Sequence, residues 1–326
     1  MRFDTRALGC VVFVGSAYRE SFTPIGTAFA VASRVNGMLF QTLVTCRHVI
    51  EMISGKTVYI RANLAGGGVR VLDVAKSDWH FHPDENVDLA ACPTVLRTDQ
   101  FAILHLELES NMFLSEASIQ AEEIGVGDEV SVVGLYTSHT GENRNLPIVR
   151  AGAIASMPRE KISTAETGQQ FHAYLVETRS IGGLSGSPVF VQLPMLRVVA
   201  SVVKPPVQPI YFMGVLMGHH STLTSVDDLG VAYSKAPKKR PRTVKVTQNT
   251  GIGVVIPAVE VNILINQPKI VEARMALKAK GATQFVPDAA PKSEEPERPP
   301  IEGDERHKER FTGLLDEALG KPKQDG

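Results

Sequence analysis

The sequence predicts an all-β domain, a barrel or sandwich assembled from many short strands. Three observations carry that expectation. Over the first two-thirds of the chain, Val, Ile, Leu and Phe fall in short runs broken by Gly, Pro or Asn every ten residues or so. Asn36-Gly37 stands between two such runs, and Asn-Gly favours the positive-φ turn that matches the twist of paired strands. No regular helical pattern separates the runs, and no repeat of about 34 or 40 residues is present.

Taken in order, the first element is ambiguous. "MRFDTRALGCVVFVGSAYRE" opens with two arginines, an apolar run and Gly-Ser-Ala, which is compatible with a secretory signal. Asp4 and the β-branched stretch Val11–Val14 favour a first strand instead. The hairpin "GTAFAVASRVNGMLFQTLVTC" follows, then "HVIEMISG", a short helical turn closed by Gly55. Further strands are expected at "KTVYIRANL", "VRVLDVAK", "VDLAACPT", "DEVSVVGLY", "IVRAGAIAS", "HAYLVET", "SPVFVQ", "RVVASVV", "YFMGVLMGH" and "TGIGVVIP". "PAVEVNILINQ" and "PKIVEARMALKAKG" read as a C-terminal helical region, with Gly281 placed to end it after two lysines. From 282 to 310 the composition turns to Pro, Glu, Lys and Arg, with five prolines between Pro287 and Pro300. Such a stretch buries too little apolar surface to offset its chain entropy, so a disordered linker is expected. Phe311, Leu314, Leu315 and Leu319 then fall on one helical stripe. A short amphipathic helix at 311–320 is expected, either transient or docking on a protein partner, followed by a tail at 321–326.

Composition narrows the function classes. The 326 residues suffice for one large domain or two ordinary ones, and 43% hydrophobic with 21% charged residues is globular. A net charge of −1 gives no general attraction to nucleic acid or anionic lipid. No apolar run approaches the roughly 18 residues that a membrane span needs. Cys10, Cys46 and Cys92 are odd in number and widely spaced, which suits a reducing compartment rather than a disulfide framework. A cytoplasmic location is therefore expected, with secretion the alternative if the N-terminus is a signal.

The chemistry concentrates in "RSIGGLSGSPVF", Arg179 to Phe190. A serine hydroxyl is a weak nucleophile that needs a base for its proton and donors for the oxyanion it creates. Glycines two before and one after Ser185 permit a bend that aims the N–H groups of Gly183 and Ser185 into one hole. An ordinary turn uses the same residues. The base is expected at His48, where "LVTCRHVI" brings an apolar strand end to a histidine entering a helix. Its orienting partner is expected at Asp88 in "ENVDLAACP", a carboxylate inside an apolar run, where burial without a partner is costly. Asp84 and Glu85 lie in a more polar stretch and read as solvated.

With "GTAFAV…LVTCRHV", "VDLAAC" and "GLSGSPVF" in that order, the chain resembles the trypsin/chymotrypsin-like serine peptidases, bacterial-type forms similar to the HtrA/Deg core above all. The spacings, 40 residues from His48 to Asp88 and 97 from Asp88 to Ser185, are family-like. "GDEVSVVGLY" and "VRAGAIAS" look like opening strands of the family's second barrel, and "GIGVVIPAVEVNILI" like its closing strand and helix. The resemblance implies two antiparallel six-stranded β-barrels, about 8–115 and about 120–266. Residues 1–281 then form the peptidase domain, with a C-terminal helical segment and a disordered tail. It implies a His48–Asp88–Ser185 triad, an oxyanion hole from Gly183 and Ser185, an acyl-enzyme, a polypeptide substrate and no cofactor. Leu184 stands where digestive members carry Asp, so activation by a freed N-terminus is not expected. Nor does a second domain of PDZ type fit after residue 282. The resemblance also places Arg179, Met217, Gly218 and His219 along the primary substrate pocket. Arg179 and His219 suit an acidic side chain, while Met217 filling the pocket suits a small one. The alternative is a protease-fold binding module that no longer cuts.

Other features carry bland readings. His80 with His82, and His219 with His220, lack a third ligand at useful spacing, so no metal is expected. The basic run Lys238–Arg242 reads as a solvated loop, and nucleic-acid binding is not expected.

Overall fold

The computed structural model describes residues 5–279, apart from 20, 36–37, 95, 109–111, 164–167, 169, 179–182 and 226–244. The chain divides into two compact units, Met1–Phe285 and Val286–Gly326. The second unit lies outside the described residues, and with it the expected 311–320 helix, most of the expected linker and the 321–326 tail. Gly281 and the basic run Lys238–Arg242 lie outside them as well.

The first half of the larger unit is a sheet. Its strands are β1 (Val11–Tyr18), β2 (Ser21–Val35), β3 (Met38–Thr45), β4 (Thr57–Asn63), β5 (Val69–Ala75), β6 (His80–Phe81), β7 (Ala90–Thr94) and β8 (Leu106–Glu107). Seven run in the order β5-β4-β1-β2-β3-β7-β6, and β8 pairs in parallel with β2. Among the described residues the half therefore has eight strands, seven in one hydrogen-bonded path and β8 off it, where six in a barrel were expected. The short pieces β6 and β8 account for the surplus. β2 and β3 pair as the expected hairpin, from Phe29 opposite Val44 to Val35 opposite Met38. A short helix, α1 (Arg47–Glu51), follows β3 directly. β1 is a buried strand across Val11–Gly15, as Val11–Val14 predicts.

The second half begins with α2 (Glu116–Glu122). Its strands are β9 (Glu129–Leu135), β10 (Pro147–Ser156), β11 (Lys161–Ser163), β12 (Gln170–His172), β13 (Tyr174–Thr178), β14 (Ser187–Gln192), β15 (Arg197–Val199), β16 (Val202–Lys204), β17 (Ile210–Ser225) and β18 (Lys245–Pro257). Six of these close into an antiparallel barrel, β10-β13-β18-β17-β14-β9, with the expected strand count. β11–β12 and β15–β16 are separate two-stranded pairs. "RVVASVV", expected as one strand, is the β15–β16 hairpin.

Two helices complete the unit, α3 (Ala258–Ile265) and α4 (Pro268–Ala279). Both fall where the sequence places a helical region. α4 buries Ile270 and Arg274, and the Arg274 guanidinium donates from Nε and Nη2 to Thr42 Oγ1 on β3 at 3.2 and 3.0 Å.

One continuous core runs through the first half and takes in Phe190 and Phe212 from the barrel, while a second core fills the barrel itself. Phe212 joins the halves, its ring 5.4 Å from Phe29, 5.9 Å from Phe190 and 4.8 Å from Phe113. Tilted and edge-on aromatic contacts of this kind add to plain area burial. Among the described residues no helix is long and apolar enough to cross a membrane.

Candidate active site

β3 ends at Thr45, and the chain turns through Cys46 into α1, so His48 sits at the junction of sheet and helix. Asp88 lies just before β7, the strand paired with β3. That pairing brings the two side chains together. His48 Nδ1 is 2.5 Å from Asp88 Oδ2, and the His48 backbone N–H donates to Oδ1 at 2.9 Å. The Arg47 N–H donates to the Asp88 carbonyl at 3.3 Å. An ionised carboxylate only accepts, so the Nδ1 that faces it carries a proton. The His48 side chain is 38% exposed and that of Asp88 10%. The carboxylate is therefore held inside while the imidazole reaches the surface. Asp84, a nearby carboxylate of this stretch, is exposed and spends its Oδ1 on the backbone and side-chain N–H groups of Asn86. Those bonds hold its pKa below the ordinary value.

Ser185 occupies a tight turn at the entrance to β14. The Ser187 N–H donates to the Leu184 carbonyl at 3.1 Å, with Gly186 at φ +84° and Gly183 at φ +91°. A side chain at either glycine would be strained, and it would also collide. A Cβ on Gly186 would stand 2.1 Å from the Thr27 carbonyl oxygen, and one on Gly183 2.1 Å from Thr137 Oγ1. The bend expected around the serine is thus present. Among the described residues neither the Gly183 nor the Ser185 N–H is taken by another protein group. Leu184 is buried beneath the turn, in space left by Gly134.

Two tethers tie this turn to the chain just before His48. The Thr27 N–H donates to the Ser185 carbonyl at 3.0 Å, and the Thr27 carbonyl accepts from Thr45 Oγ1 at 2.7 Å, three residues before His48. The Leu216 carbonyl accepts both the Gly186 N–H, at 2.9 Å, and the Cys46 thiol, at 3.4 Å. Gly26 closes the gap: a Cβ there would lie 2.9 Å from Val49 and 3.1 Å from the Ser185 carbonyl oxygen. Thr27, Thr45 and Gly26 are not singled out in the sequence, and Cys46 stands out there only as one of three widely spaced cysteines. Their signal was their adjacency to the expected base and to "GTAFAV".

Cys46, His48 and Asp88 offer ligand atoms within 4.8 Å of one another, a spacing that a divalent ion can bridge. Their bonding favours proton chemistry instead. Nδ1 and Oδ2 are committed to each other, and the thiol donates to Leu216. Burial, and then the Asp88 charge, hold the Cys46 thiol well above its ordinary pKa, which disfavours the thiolate a metal needs. His82 lies apart, its Nδ1 accepting the Asp84 N–H at 3.1 Å and its Nε2 3.2 Å from Glu260.

On the expected substrate side, Met217 is half-buried against the main core. It sits at a register irregularity between Leu216 and Gly218 on β17. A Cβ on Gly218 would meet nothing within 4 Å, so that position borders open space. The His219 backbone pairs with Gly253, but its side chain lies outside the described residues, as does all of Arg179.

No protein-family model and no curated protein matches the chain. Among solved structures it is similar to the inactive form of the Rv3671c protease, with 18% identity, a TM-score of 0.41, and coverage of 80% of this chain and 90% of that one. It is also similar to the HtrA-type protease AlgW with decapeptide, at 14% identity and a TM-score of 0.40, covering 82% and 73%. An inactive form of Rv3671c from M. tuberculosis H37Rv gives 18% identity and a TM-score of 0.39, covering 86% and 92%. All three are distant likenesses.

Proposed function

We propose that this protein is a serine endopeptidase that hydrolyses peptide bonds through His48, Asp88 and Ser185. The observation that carries the reading is the 2.5 Å contact between His48 Nδ1 and Asp88 Oδ2, next to a glycine-flanked turn that presents a serine. In the reaction, Ser185 Oγ attacks the peptide carbonyl as its proton passes to His48 Nε2. Asp88 keeps the imidazole in the Nδ1–H tautomer and steadies the imidazolium. The Gly183 and Ser185 N–H groups receive the developing oxyanion. His48 then protonates the leaving amine, and the acyl-enzyme remains. Water, deprotonated by the same Nε2, attacks the ester and frees both the acid and Ser185. Met217 and the open space at Gly218 are assigned to the primary pocket, while Arg179 and the His219 side chain lie outside the described residues.

A labelled fluorophosphonate tests the reading, because it marks a serine activated by a base. It should modify Ser185 in the wild-type chain and leave Ser185→Ala unmarked. Peptidase activity of that variant should fall by up to about 10⁶ in kcat with the fold intact. A wild-type chain that stays unlabelled would instead be a protease-fold binding module. A Ser185→Ala variant keeping more than about a tenth of the activity would remove Ser185 from the mechanism.

A further inference from the structure

The loop between β9 and β10, residues 136–146, belongs to the barrel, yet it is fastened to the first half. The fastener is Arg61 on β4, a charged side chain only 6% exposed. Its Nη1 donates to the Thr140 carbonyl at 2.9 Å and to Asn145 Oδ1 at 2.5 Å. Its Nη2 donates to the Gly141 and Glu142 carbonyls at 2.7 and 3.1 Å. Asn145, 1% exposed, answers from the loop side. Its Nδ2 donates to the Arg61 carbonyl at 2.7 Å, and its backbone N–H donates to Asn63 Oδ1 at 2.6 Å.

Burying a guanidinium costs several kcal/mol unless its donors are satisfied. Here burial pulls the Arg61 pKa down, and among the described residues no carboxylate pairs with it. Its partners are three loop carbonyls and one amide, so its charge serves to gather a loop that would otherwise follow the mobility usual for surface segments. The near end of that loop is Thr137, the residue packed against Gly183 so tightly that no Cβ would fit.

We infer that Arg61 is a positioning residue for the serine turn: by clamping residues 140–145 to the first half, it holds Thr137 against Gly183 and so fixes one of the two oxyanion donors. The inference rests on the peptidase reading for its catalytic meaning, while the clamp itself has a readout independent of activity. A donor displaced by about 1 Å is enough to cost on the order of 10²-fold in rate.

The test uses the full chain with Arg61→Met, which keeps the bulk and removes the donors, and Arg61→Lys, which keeps a charge. Arg61→Met should lose about 10²-fold in kcat on a short peptide, with KM within about twofold, because the loss falls on the transition state. Added guanidinium ion at millimolar concentration should restore part of the rate. Arg61→Lys should lose about tenfold, its three donors covering fewer acceptors. Deuterium uptake at the 183–187 amides should rise in both variants. A wild-type kcat in Arg61→Met, or a loss matched by KM and not rescued by guanidinium, overturns the inference. If Arg61→Met does not fold, Arg61→Lys decides by the same readouts, and an unchanged kcat overturns it. If the wild-type chain neither cleaves peptide nor takes the fluorophosphonate, the peptidase reading fails. Uptake at 183–187 then judges the clamp alone, with faster exchange supporting it and unchanged exchange ending it.

Discussion

His48 has one ring nitrogen tied to an inward carboxylate and the other open to the surface, so substitutions at its partner act through tautomer and aim. Asp88→Asn keeps an oxygen for the His48 backbone N–H, so the fold should survive. The amide offers a donor where Nδ1–H needs an acceptor, and kcat should fall on the order of 10⁴-fold near neutral pH. Measuring kcat for Asp88→Asn beside Asp84→Asn decides which carboxylate orients the base, and a silent Asp88→Asn would remove Asp88 from the mechanism. The cysteines give a second residue-scale test. All three are free and buried, and burial pushes Cys10 and Cys92 up to about 12 and raises Cys46 as well. Their thiolates are therefore scarce at pH 8, where a native-state titration with a disulfide reagent should find no fast-reacting thiol and three after denaturation. A fast thiol in the native chain would contradict the packing around it.

Turns decide the element scale. At the serine turn, Gly186→Ala combines a positive φ with a Cβ 2.1 Å from the Thr27 carbonyl. It should cost about 1–3 kcal/mol and most of the activity, read by thermal melting and peptide turnover. The β15–β16 hairpin runs the other way. Ala200 and Ser201 hold φ values of 49° and 65°, where a two-residue hairpin favours Asn-Gly. Ser201→Gly should therefore raise stability by about 0.5–1 kcal/mol, and a lower melting temperature would show that Ser201 contributes something beyond its conformation. This turn explains why a hairpin read as one strand: "RVVASVV" is continuously β-branched around a pair with no turn signature. α2 was missed for a related reason. Its start is marked by Ser115, whose side chain accepts the Ser118 N–H, and by Glu116 in the first turn, but its end is capped by Glu123 at φ 50°, where glycine is the usual signal. By contrast, the 2–3 hairpin, α1 and the glycine-bent serine turn were legible because each has local chemistry of its own. The Arg61 clamp was not, since an arginine in a strand and carbonyls some eighty residues later leave no mark in sequence.

At the scale of the whole unit, α4 closes the first sheet through Ile270 and the Arg274 bonds to Thr42. A chain ending at Gly281 should keep its melting temperature and its turnover of a short peptide. One ending at Gln267 should lose several kcal/mol, because it strips a buried aliphatic side chain and leaves Thr42 without its partner. Equal melting curves for the two truncations would show that α4 is not part of the fold's support. That His48 and Asp88 fall in the first half and Ser185 in the second was readable from their order; how the halves are locked together was not, because Phe29 and Phe212 look like any other core aromatics in sequence. What ties the His48 segment to the Ser185 turn is smaller than that interface. The Leu216 carbonyl receives Cys46 from one side and Gly186 from the other. In a surveyor's terms the segment that carries His48 and the turn that carries Ser185 share a benchmark, so a drift of that strand moves both in the same direction.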